Sequence, residues 1–153
     1  MINTKKIAII ISLLLLFSCG YEPIFTSNEA NFSITEIKLF GKKNIGSKIK
    51  NNLTIYQNIE NKSIFYSLKI NSDRKKIVIS KDAKGDPKMF EVQVSIDLTI
   101  LEDNKIKHEK NFKESYVYNN STNKFDLNQY EKNIEDNLIE KIVTKIIIYL
   151  YSI

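Results

Sequence analysis

The chain has 153 residues, 42% hydrophobic and 27% charged, with a formal net charge of +5, one cysteine and one histidine. That length holds one domain with a real core, but not two independent ones. A lone cysteine excludes an intramolecular disulfide; a lone histidine leaves neither a two-histidine zinc site nor an easily assembled Ser-His-Asp arrangement.

The first element is a leader. Lys5-Lys6 precede an apolar stretch from Ile7 to Phe17, and Ser18-Cys19-Gly20 follow it. A basic start, a short apolar segment and a small residue before an acylatable cysteine form the layout of a bacterial lipoprotein signal. The apolar stretch is too short for a spanning helix, which needs about 20 residues. A lysine-led start also argues against a buried core helix. A plain secretory signal would leave a lone thiol in an oxidising compartment. Residues 1–18 are therefore read as a signal peptide, with the mature chain starting at Cys19 and tied to a membrane by fatty acyl chains. Each buried methylene of such a chain contributes about 0.8 kcal/mol. The leader removes Lys5 and Lys6, so the mature domain is only mildly basic and no nucleic-acid partner is expected.

Residues 19–31, with Pro23 and no hydrophobic period, read as a tether to a single domain over residues 32–153. Phe32 to Phe40 reads as a strand whose apolar parity changes between Ile34 and Ile37, the mark of a bulge or strand end. Ile45, Ile49, Leu53, Tyr56 and Ile59 lie on one helical face, predicting a helix over Ser47 to Ile59 with Ser47 as N-cap. Ile64 to Ile70 alternates as a second strand. A basic turn, Asp73-Arg74-Lys75-Lys76, leads to Ile77-Val78-Ile79, which extends that strand or pairs with it. Ser80 to Pro87 reads as a loop.

Phe90, Val92, Val94, Ile96, Leu98 and Ile100 alternate strictly, predicting a strand with one buried and one wetter face. Asp103-Asn104 marks a hairpin turn. The return strand, Ile106 to Tyr118, is mostly polar and reads as an edge. A last helix is expected from Asp126, with Asp126 and Gln129 spaced as a capping box and Phe125 and Tyr130 as a hydrophobic staple. Its predicted buried stripe is Tyr130, Ile134, Leu138, Ile142 and Ile146. The order predicts an α+β two-layer sandwich: a mostly antiparallel four-stranded sheet with two helices packed on one face.

Cys19-Gly20-Tyr21-Glu22-Pro23-Ile24-Phe25 resembles the Cys-Gly-aromatic-x-Pro-Leu-aromatic start of mature lipopolysaccharide-assembly lipoproteins, the LptE family. The order of elements is also similar, with a long alternating strand, a return strand ending in Ser115-Tyr116-Val117-Tyr118-Asn119 and a closing amphipathic helix. The resemblance implies a lipid-anchored protein on the periplasmic side of the cell outer membrane. There it would plug and help assemble an LptD-like β-barrel and engage lipopolysaccharide, with no catalytic activity and no cofactor. Gly20 rather than Asp after the cysteine agrees with an outer-membrane destination under the enterobacterial sorting rule. Two rivals stay open: a lipid-binding auxiliary lipoprotein of an ABC-type envelope transport system, and a periplasmic chaperone or scaffold.

The residues themselves argue against an enzyme. Gly20, Gly41, Gly46 and Gly85 are too scattered for a phosphate-cradling loop, and no spacing of carboxylates requires two to meet. No metal site is expected, and His108, between Lys107 and Glu109, reads as a surface strand residue. Two features are candidates for binding. Arg74, Lys75 and Lys76, with Lys81, Lys84 and Lys88 nearby, either meet lipid A phosphates or form a solvated turn. The apolar end of the last helix, with Ile147, Tyr149 and Tyr151, is either buried or a patch for the barrel wall.

Overall fold

The computed structural model describes residues 30–153; the signal, Cys19 and the tether up to residue 29 lie outside the described residues. The elements are β1 (Phe32–Gly41), α1 (Lys43–Leu53) with a 3-10 turn at Thr54–Tyr56, β2 (Ile64–Lys81), β3 (Pro87–Glu102), β4 (Lys105–Asn119) and α2 (Lys124–Ser152). The four strands form one sheet in the order β1-β2-β3-β4. β1 and β2 run parallel, as a crossover through α1 requires, and the other pairs are antiparallel. α1 packs over β1 and β2, α2 packs over β3 and β4, and the helices touch each other. The expected α+β sandwich is the observed one.

The core follows strand parity. Val92, Val94, Ile96, Leu98 and Ile100 of β3 are buried, as are Leu68 and Ile70 beside them on β2. Each such side chain contributes about 1.5–3 kcal/mol by leaving water. In β1 the pairing register shifts between Ile34 and Glu36, which lets both Ile34 and Ile37 reach the core. Thr35, at the irregularity, turns its hydroxyl to the Tyr66 carbonyl at 3.1 Å. The β3–β4 hairpin turns on Asp103 and Asn104, at φ of 51° and 61°. Both values suit a tight turn of residues that tolerate the left-handed region.

Four expectations need correction. Asp73 to Lys76 is not a turn: β2 runs unbroken through it to Lys81. α1 begins at Lys43, its N-cap position Lys42 makes no side-chain cap, and Ser47 is an exposed residue inside it. Ile59 lies beyond the helix, where its N–H donates to the Ser33 hydroxyl at 2.8 Å. α2 is capped three positions before Asp126, because Asn123 Oδ1 accepts from the Phe125 and Asp126 N–H groups at 3.1 and 3.3 Å. Leu127 lies in the core, whereas Phe125 and Tyr130 are 79% and 44% exposed, so the staple does not form. The expected stripe holds at Ile134, Leu138, Ile142 and Ile146 but begins at Leu127 rather than Tyr130.

β1 ends at a close approach. Gly41 has φ +76°, and a Cβ there would lie 2.1 Å from the Ser72 carbonyl oxygen. Lys42 N–H donates to that same oxygen at 2.8 Å, and the Ser72 hydroxyl donates to the Lys42 carbonyl at 2.8 Å. This junction turns the chain off the sheet and into α1.

Candidate binding surfaces

Strand alternation splits the basic trio between two faces. Arg74 and Lys76 share the helix-side face with Leu68, Ile70 and Ser72, whereas Lys75 points to the other side. Arg74 Nε lies 2.8 Å from Glu135 Oε2, and its Nη2 lies 3.6 Å from Glu131 Oε2. Lys76 Nζ donates to Glu131 Oε1 at 2.5 Å and sits 4.1 Å above the Phe90 ring. Lys48 of α1 pairs with Glu135 at 3.8 Å and also with Asp136. These ion pairs join β2, α1 and α2.

Electrostatics in the cluster follow from burial and pairing. Burial opposes ionisation of Glu131, yet Lys76, Tyr118 and Arg74 outweigh it and hold the carboxyl below its usual range. Burial first, then the neighbouring Glu131, pushes the Tyr118 hydroxyl's pKa up. Arg74 and Lys76 are thus committed to carboxylates of their own chain. Glu131 and Glu135 are not among the residues the sequence singles out; their spacing of four, on the side marked by Leu127 and Leu138, is the signal that would have placed them.

Lys75 is different. It stands on the face without helices, 3.9 Å from Asp73, with its side chain 65% exposed. That face is polar at its centre: Asn111 and Asn71 both donate to the Asp97 carboxylate across neighbouring strands, at 2.7 and 3.4 Å. Near the β2–β3 connection Ile77 and Val117 flank Glu91 on this face. Ile77, Val78 and Ile79 are 41%, 42% and 48% exposed. Asp82 organises that connection by accepting the Lys84 and Asp86 N–H groups, both at 2.9 Å. Lys81, Lys84 and Lys88 surround it and form no ion pair among the described residues.

The apolar end of α2 is largely used by the fold. Tyr151 meets Phe32 and Tyr56 edge-on, with ring centroids 5.6 and 6.2 Å apart. Tyr149 packs against Phe112 and against His108, at 6.0 and 6.2 Å, so His108 is half-buried rather than a plain surface residue. Ile147 is likewise packed on the core; Ile148, at 48% exposed, is the large residue this turn leaves outside. No helix among the described residues is long and apolar enough to cross a membrane. A groove of about 460 Å³ runs between α2 and the edge strand β4, walled by Tyr116, Tyr130, Asn133, Asn137 and Lys141.

No protein-family model matches the chain, and no curated protein matches it by sequence. Solved structures do match. The minor lipoprotein from Acinetobacter baumannii superposes with a TM-score of 0.61 at 15% identity, over 78% of this chain and 91% of that one. Rare lipoprotein B from Shewanella oneidensis gives 0.57 at 10% identity, over 77% and 95%. Lipoprotein B from Nitrosomonas europaea gives 0.55 at 15%, over 84% and 88%. The fold is therefore one that solved bacterial lipoproteins share.

Proposed function

We propose that this protein is a non-enzymatic, acyl-anchored lipoprotein of the LptE type, on the periplasmic side of the outer membrane. It plugs and helps assemble an LptD-like β-barrel and supports insertion of lipopolysaccharide into the outer leaflet. The observation that carries the reading is a combination. A lipoprotein signal ending at Cys19 precedes a domain whose fold matches solved lipoproteins over 91% and 95% of their length. The Cys19 to Phe25 resemblance supports the narrower assignment.

Within this reading, the ion pairs of Arg74 and Lys76 redirect the lipid contact. Phosphates of lipid A would meet Lys81, Lys84 and Lys88, which form no ion pair among the described residues, at the β2–β3 connection, and acyl chains the exposed Ile79 beside them. Lysines act there as point charges on a flexible stem.

The test is crosslinking in intact cells, followed by purification from detergent-solubilised outer membranes and mass spectrometry. The expected product contains a very large β-barrel. Recovery with an ATPase and permease would instead favour the ABC-transport reading, and recovery with neither would overturn both.

A further inference from the structure

Beyond Ser72, the outer edge of β2 has no strand beside it among the described residues. β1 ends at Gly41, opposite Ser72, and its chain leaves the sheet through Lys42. β2 nonetheless stays a regular strand there, because β3 pairs with it without interruption from Asp73↔Ser95 to Val78↔Phe90. The register shifts after Val78, which ends the regular stretch. The result is a lane about 20 Å long, in line with β1. Along it, peptide groups that a neighbouring strand would engage face water.

The surroundings of the lane select an occupant. Ile77 and Val78 offer apolar surface, one on each side of the sheet. Lys75 is exposed between them and the end of β1. At the β1 end, a recess of about 270 Å³ is lined by Lys42, Lys43, Asn44, Ile45, Arg74 and Glu135. α1 starts beside it with no acidic residue in its first turn and no side-chain cap. Lysines along an edge discourage pairing with a second copy, because like charges set opposite one another are destabilising. The same charges complement carboxylates.

We propose that the lane accepts, by strand addition, an extended segment of a partner protein in which acidic and apolar residues alternate. Its carboxylates fall on the helix side and meet the recess beside Lys42 and Lys43, while its apolar side chains fall on the other face and cover Ile77. This inference does not depend on the lipopolysaccharide reading.

The experiment uses the full lipoprotein in non-ionic detergent and an end-blocked hexapeptide of alternating glutamate and valine. Amide hydrogen exchange and fluorescence anisotropy are followed together. Saturable binding is expected, with slowed exchange confined to residues 73–78. N-methylation of alternate peptide amides should abolish it, and a lysine–valine peptide should not bind. Lys43→Glu should weaken binding about fivefold. The same change should leave the thermal midpoint equal or higher, since negative charge suits the start of a helix. Three results would overturn the proposal: equal binding of the N-methylated peptide, no slowing at residues 73–78, or full protection there before peptide is added.

Discussion

Lys76 Nζ donates a 2.5 Å hydrogen bond to Glu131 Oε1 and so joins the middle of β2 to the first third of α2. The bond explains how a run of three cations stays inside a strand. Strand parity sends the outer two toward carboxylates and the middle one toward water. Lys75 alone keeps its charge largely exposed.

Glu131→Gln should lower stability at neutral pH by about 1–2 kcal/mol, because Arg74 and Lys76 lose their shared anion but partly regain water. The Glu131 pKa is held below its unfolded value, so its contribution is present above the ordinary carboxylate range. It is lost as pH falls through the folded value. Thermal midpoints measured across the acid range should therefore fall less steeply in Glu131→Gln than in the wild type. Parallel curves would remove Glu131 from the acid response.

Two glycines should respond in opposite directions. Gly41→Ala needs a positive φ and puts its Cβ 2.1 Å from the Ser72 carbonyl. A loss of more than about 2 kcal/mol is expected. At Gly46, inside α1, a Cβ would meet Leu39 carbons at 3.4–3.6 Å, an ordinary contact. Gly46→Ala should stabilise by up to about 1 kcal/mol through helix propensity. Urea denaturation of both variants checks the contrast.

The start of α2 is testable by its cap. Asn123→Ala removes the acceptor of two helix N–H groups and should cost about 1 kcal/mol. Asp126→Ala should cost less, since that side chain serves the cap only through its 2.7 Å contact with Asn123 Nδ2. The reverse order in chemical denaturation would restore Asp126 as the cap.

Tyr56 sets an alkaline limit. Burial, and next Tyr151, raise its pKa from 10.0 to about 12. Between these values the folded state holds a proton that the unfolded state releases, so stability falls as pH rises through that window. Tyr56→Phe should flatten the decline, read from denaturation midpoints alongside tyrosinate absorbance.

Much of this fold is legible in the residues, and what is not has a physical cause. The alternation of β3, the Asp103-Asn104 hairpin and the parity change at Ile34 are local signals, and each appears where it is expected. Arg74 to Lys76 reads as a turn because its neutralising partners lie on a helix more than fifty residues later. No local window contains them. At α2, Asn123 and Asp126 offer competing caps three residues apart, and taking Asp126 as the cap suggests a Phe125–Tyr130 staple, whereas the buried stripe through Ile134 to Ile146 begins at Leu127. The candidate site was legible only as a charge count: the separation of Lys75 from its neighbours depends on strand parity through a segment the composition disguises. The exposed edge beyond Ser72 depends on where β1 stops, and Gly41 is its only local hint.

Phe32 and Tyr151 lie face to edge, 5.6 Å between ring centroids, so the domain's first strand is sealed by almost its last residue. During vectorial synthesis the opening strand must therefore wait, incompletely covered, until the final helical turn has emerged. A nascent chain halted a few residues early would retain its hairpins but lack this clasp, presenting a greasy seam to any chaperone that meets it.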